Sequence, residues 1–141
     1  MTRKELSQLY WLNREIAEEK RRLAELEAAA SGCTAKITGL PHVPGAYDRL
    51  GDLGALIAEQ RDLVARKVRR SIAEYNRLNR FIASVDDAQM RVILSLRYVK
   101  GLSWQQVAFA VGECDESYPR RKHNQFLRKS EAAENAEPQA V

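Results

Sequence analysis

Apolar residues recur along this chain in three spacings, and each spacing predicts a helix. Residues 2–30 contain neither Gly nor Pro, and Leu9, Leu12, Ile16, Leu23 and Leu26 fall on heptad a and d positions. Glu19 is the polar interruption of that seam, and Ala30 extends it. At 1.5 Å per residue such a helix is a rod of roughly 40 Å, long for a globular protein. Its seam must meet a partner: the other half of an intramolecular hairpin, or the same helix of another subunit.

The second pattern runs over 53–85 as Leu53, Ile57, Val64, Val68, Ile72, Tyr75, Leu78, Ile82 and Val85. Its register shifts by four between Val64 and Val68, a stutter that locally unwinds a supercoil. Residues 31–52 hold four glycines together with Pro41 and Pro44, which predicts a connector longer than most helix–helix loops. His42 in that stretch reads as a loop residue. The chain therefore returns on itself, and 1–85 is expected to be a long antiparallel coiled-coil hairpin.

The third pattern is shorter and more broken. Asp86 and Asp87 offer an N-cap to AQMRVILSLRYVK, whose apolar face is Met90, Ile93, Leu94 and Leu96 to Tyr98. Gly101 suits the left-handed position just past a helix, and Ser103 with Gln106 forms a capping-box pair for the next one. Trp104, Val107, Ala108 and Val111 share one stripe of that short helix, which Gly112 ends. After the turn ECDE a further helix carries Arg120, Arg121, Lys122, Asn124, Gln125, Arg128 and Lys129, and Pro119 is tolerable only in its first turn. Residues 86–130 are thus expected to be a three-helix helix-turn-helix module, and 131–141 a tail that is disordered or a frayed continuation of the last helix. The fold class is all-α.

Charge sharpens the picture. The net charge of +4 is modest, but its placement is not. Residues 2–30 balance six basic against six acidic side chains, whereas Arg91 to Lys129 carries eight basic and three acidic. The positive excess lies where a duplex-binding module needs it. Ser117, Arg120, Arg121, Asn124 and Gln125 supply base-reading chemistry, since Arg pairs bidentately with guanine and Asn or Gln with adenine. Ser103, Gln105, Gln106, Lys122, Arg128 and Lys129 are candidates for phosphate contacts. Leu9, Leu12, Ile16, Leu23 and Leu26 are candidates for subunit association.

Other classes lack their residues. The two histidines lie in unrelated contexts, and neither a metal-ligand cluster nor a phosphate-cradling glycine loop is present, so no enzyme and no cofactor is expected. Cys33 and Cys114 read as reduced thiols of a cytoplasmic protein, and no apolar run predicts a membrane span.

LRYVKGLSWQQVAFAVG, residues 96–112, resembles the region-four helix-turn-helix of bacterial sigma factors. The chain over roughly 31–130, with GLPHVPG and PRRKHNQFLRK, resembles short phage regulators of late transcription of the ArpU/RinA type. That resemblance implies a DNA-binding regulator of late genes in a bacterial host, acting as a homo-oligomer, with RNA polymerase as a further partner. Sigma-type recognition helices carry aliphatic residues where this chain has Pro119 and Lys122. Two other readings stay open: a packaging-recognition subunit similar to small terminase proteins, and a protein that binds RNA polymerase or a sigma factor without touching DNA.

Overall fold

The computed structural model describes the backbone of residues 1–34 and 46–136, and the side chains of 1–32 and 51–136. The described residues are helical, with no strand: α1 is Arg3–Thr34, α2 Ala46–Ser84, α3 Ala88–Leu94, α4 Trp104–Ala110 and α5 Ser117–Ala136. A single π-helical turn, Ser95–Val99, continues α3. The all-α expectation holds. GLPHVPG and His42 lie outside the described residues.

Three helices run longer than the core of each pattern, two of them through glycine. Helix α1 runs on through Gly32, α2 begins seven residues before Leu53 and takes in Gly51 and Gly54, and α5 continues through Ala136. Glycine in a helix costs only about 1 kcal/mol relative to alanine, which long flanking runs of good helix formers absorb. Of the two forms expected for the tail, 131–136 takes the continuation of the last helix, where Glu131, Ala132, Ala133, Glu134 and Ala136 all favour helix.

Contacts divide the chain into two units, and the division does not fall at residue 85. One unit is Leu12–Ser71; the other joins Met1–Trp11 to the chain from Ile72 onward. In the first, cross-helix bonds run with opposite numbering: Ser71 Oγ donates to Asn13 Oδ1 at 2.7 Å, Lys67 Nζ to Glu19 Oε1 at 3.2 Å, and Arg61 Nη2 to Glu27 Oε1 at 2.8 Å. The two helices of this unit are antiparallel. Gln60 Nε2 also donates to Glu19 Oε2 at 2.6 Å and to its main-chain oxygen at 3.0 Å. Gln60, then Lys67, hold the Glu19 carboxyl below the ordinary carboxylate range. The polar interruption of the heptad is thus a satisfied polar layer. On α2 the seam passes through buried Ser71, while Ile72 and Tyr75, expected on the stripe, are 55% and 45% exposed.

Leu12 and Ile16 are buried within this one chain, and Leu23 and Leu26 are half-buried; Leu9 is buried in the other unit. Residues expected to join subunits are thus largely consumed inside a single chain. A surface already covered offers little apolar area to a second copy.

The other unit holds a continuous core. Leu6 and Leu9 of α1 and Leu78, Ile82 and Val85 pack with Met90, Ile93, Leu94, Tyr98, Val107 and Leu127. Half-buried Met1, Phe81, Leu96, Trp104, Val111 and Phe126 close its edges. Arg91 Nη1 donates to the carbonyls of Val85 and Asp86 at 2.6 and 2.9 Å, fixing the turn between α2 and α3. Leu6, Ile93 and Leu94 are fully buried, so α1 belongs to the core of the terminal helices as much as α3 does.

Leu6→Ala should accordingly destabilise this unit by about 2–5 kcal/mol in denaturant unfolding, although Leu6 lies some eighty residues from α3 in sequence. The isolated fragment 86–136 should show no cooperative unfolding transition, because it lacks Leu6, Leu9, Leu78, Ile82 and Val85. A sigmoidal melt of that fragment would show that the three terminal helices carry a sufficient core alone.

Candidate nucleic-acid interface

The approach to α5 is set by two glycine turns. Lys100 N–H bonds the Ser95 carbonyl at 3.0 Å and Leu102 N–H the Leu96 carbonyl at 3.1 Å, so one extra residue is wound in before the helix stops. Gly101 then takes φ +69°, a conformation open to it because it has no Cβ. Arg97 Nη1 locks the reversal by donating to the Leu102 carbonyl at 2.7 Å. Ser103 caps α4 as the spacing predicted: its Oγ accepts from Gln106 N–H at 3.3 Å, and Gln106 Oε1 accepts from Ser103 N–H at 3.0 Å. At the far end Gly112 adopts φ +81°, with Glu113 N–H on the Ala108 carbonyl at 2.9 Å and Gly112 N–H on Phe109 at 3.2 Å, a Schellman motif.

Asp115 starts α5. Its Oδ1 accepts from Ser117 N–H at 2.9 Å and its Oδ2 from the Ser117 hydroxyl; these bonds hold its carboxyl below the usual range. Val107 and Ala108 of α4 and Pro119, His123 and Leu127 of α5 are buried, and α5 packs on both α3 and α4.

His123 is the polar centre of this packing, 1% exposed. Its Nε2 lies 2.7 Å from the Tyr98 hydroxyl and its Nδ1 3.2 Å from Asn124 Oδ1. An amide oxygen only accepts, so Nδ1 carries the proton and Nε2 accepts from Tyr98. The ring also packs against Trp104, with centroids 4.9 Å apart. Burial lowers its pKa; the Asn124 bond opposes this, while the Arg3 and Arg97 charges add to it.

The structure sorts the expected contact residues into two groups. Arg120, Arg121, Gln125, Arg128 and Lys129 are exposed along α5. Arg121, Asn124, Gln125 and Arg128 line one shallow hollow. The others have structural work. Ser117 is tied to Asp115 at the helix start, and Ser103 and Gln106 are spent on the α4 cap, leaving Gln105 exposed beside them. Lys122 is half-buried: its Nζ bonds Gln89 Oε1 and lies 3.8 Å from Asp87 Oδ2, so it ties α5 to the start of α3. The chemistry of these side chains suits DNA, but local backbone groups, Gln89 and Asp87 satisfy them first.

Asn124 is the instructive case. Its Oδ1 accepts from Arg3 Nη2 of α1 as well as facing His123 Nδ1. Bidentate pairing with adenine needs both the carbonyl and the amide of Asn, and here the carbonyl is already occupied. Arg3 had no signal in the sequence beyond its charge, because a bond spanning 121 positions leaves no local pattern.

No protein-family model, curated protein or solved structure matches the chain. Among the described residues no group of three or more His, Cys, Asp or Glu is placed to hold a metal, and no helix is long and apolar enough to cross a membrane. Cys114 is an exposed free thiol.

The neutral state of His123 makes a measurable prediction. Its folded pKa lies below the unfolded value of about 6.5, so its stabilisation is complete above that pH and is lost as the pH falls from there through the folded value. His123→Leu should flatten stability across that window in urea titrations. It should also cost about 1–3 kcal/mol at neutral pH, since the Tyr98 hydroxyl then loses its partner. An unchanged acid-side slope in the variant would locate the titration elsewhere.

Proposed function

We propose that this chain binds double-stranded DNA, with α4 and α5 as a helix-turn-helix and α5 lying in the major groove. One observation carries the reading. Arg120, Arg121, Gln125, Arg128 and Lys129 are exposed along one helix, and none of the four basic side chains has an ion-pair partner among the described residues. Surface arginines without an ion-pair partner are what phosphates and guanine edges exploit. Asp115, by capping α5, places a carboxylate at its N-terminus and excludes phosphate there, so the body of the helix is the contacting surface.

The likeness of residues 96–112 to sigma region four supports transcription as the setting, and the ArpU/RinA-type likeness supports late-gene regulation in a phage. In this reading the long helices also serve assembly. Association would use apolar side chains still exposed on α1 and α2, such as Trp11, Ile72 and Tyr75, in place of the consumed heptad positions. A second reading, contact with RNA polymerase, draws on Phe109, which is 86% exposed on α4.

A salt series with duplex DNA tests the proposal. Non-specific affinity should fall in the ~10⁻⁴–10⁻⁶ M range near physiological salt and weaken log-linearly with added salt. Lys129→Ala should reduce that slope by about one and weaken all sequences alike, while Arg121→Ala should cost about 1–3 kcal/mol on a selected site and relax preference there. Absence of salt-dependent duplex binding would refute the reading. Retention of polymerase binding by a Phe109→Ser variant would remove the second.

A further inference from the structure

A hollow of about 250 Å³ lies beside α5, lined by Arg3, Ser7, Arg97, Tyr98, Trp104, Arg120, His123 and Asn124. Three guanidinium groups line it and no carboxylate does. Elsewhere in this unit Arg77 pairs with Glu5 at 2.9 Å, and Lys122 lies 3.8 Å from Asp87. Arg120 makes no hydrogen bond or ion pair among the described residues. Arg97 is held in place from behind, with one N–H on the Leu102 carbonyl and its guanidinium carbon 5.0 Å from the Trp104 ring centroid. Its remaining N–H groups are unspent, as are all but one of those on Arg3.

Gathering three like charges without a counter-ion is unfavourable, and an anion reverses the sign of that cost. The floor reports the same field: Arg3 and Arg97 both act to disfavour a proton on His123. Drug-sized ligands occupy roughly 300–1,000 Å³, so the volume suits a compact anion. Planar guanidinium forks match phosphate oxygens two at a time. The hollow shares Arg120 and Asn124 with the exposed side of α5, which places it where the strand flanking an occupied groove would pass.

We propose that this hollow is a phosphate seat, in which Arg3, Arg97 and Arg120 together take one backbone phosphodiester of a bound duplex. The proposal rests on the DNA-binding reading and adds to it a contact supplied from α1, at the far end of the sequence from α5.

The test is a salt series with a random-sequence duplex, using the full chain, Arg3→Ala, Arg3→Lys and, as a control on the same helix, Lys20→Ala. Arg3 is exposed, and a melting curve of each variant is recorded beside its titration to check that it folds. Arg3→Ala should bind roughly eightfold more weakly near 0.1 M salt, with the salt slope reduced by about 0.9, the signature of one lost phosphate. Arg3→Lys should keep the slope, and Lys20→Ala should match the full chain. A second arm titrates inorganic phosphate without DNA, following the Trp104 indole and His123 ring signals by NMR. If the full chain binds duplex with a normal salt slope and Arg3→Ala is indistinguishable from it, the seat is refuted while DNA binding stands. If the full chain shows no salt-dependent duplex binding, the DNA reading fails. Phosphate shifts lost in Arg3→Ala would then identify a free phosphate ligand and overturn the duplex as its source; no shifts would overturn the seat as well.

Discussion

The core that the N-terminal turns of α1 share with the terminal helices is the constraint on which the rest depends. Three helices as short as α3, α4 and the first half of α5 cannot bury enough apolar surface to stay folded unaided. Leu6 and Leu9 from one side and Leu78, Ile82 and Val85 from the other supply what is missing. With them present, Ile93, Leu94 and Val107 are fully enclosed, and α5 has a fixed bed for Pro119, His123 and Leu127. The long helices are thus part of the platform that holds α5. The same packing brings Arg3 to Asn124, so the outer face of α5 is composed from both ends of the chain.

Polar groups give this platform its specificity. An all-leucine seam pairs in several registers, whereas Glu19 has its acceptors filled only when Gln60 and Lys67 arrive opposite it. The buried His123 does the same for α5, since its ring is satisfied only with Tyr98 on one nitrogen and Asn124 on the other. Each is costly if unmade, and that cost disfavours slipped arrangements. Lys122 adds a third tether by reaching Gln89 and Asp87.

What the sequence disclosed follows the range of the interactions concerned. The capping box at Ser103 and Gln106, the left-handed glycines 101 and 112 and the N-terminal placement of Pro119 depend on neighbours within a few residues, and all were readable. The helix ends were not, because Gly32, Gly51 and Gly54 sit at exposed positions where a helix merely weakens. The π-turn at Ser95–Val99 has no composition signal, since any sequence can absorb one extra residue if packing demands it. The shift of the α2 seam onto Ser71 was hidden for the same reason: alternation favours Ile72 and Tyr75, and only the partner Asn13 makes the hydroxyl the better choice. Ser117, Gln106, Lys122 and Asn124 look from sequence like four more nucleic-acid contacts. Their polar atoms are claimed by caps and tertiary partners that only folding brings near.

That claiming bears on how a sequence could be read at all. Exposed Arg121 spends only its Nε–H, on the Ser117 carbonyl at 3.3 Å, so on the DNA-binding reading its other N–H groups remain for phosphate or base. Asn124 is different, because its carbonyl must leave Arg3 and His123 before an adenine can be paired in both directions. The bond to Arg3 is charge-assisted and so the harder to break, which makes adenine recognition by Asn124 conditional on where the Arg3 guanidinium goes. A phosphate near Arg3 offers a stronger acceptor than a neutral amide and draws the guanidinium away from it. If the chain binds duplex DNA as proposed, backbone contact and base contact are then not independent: the electrostatic step, common to every duplex, prepares the amide for the selective one.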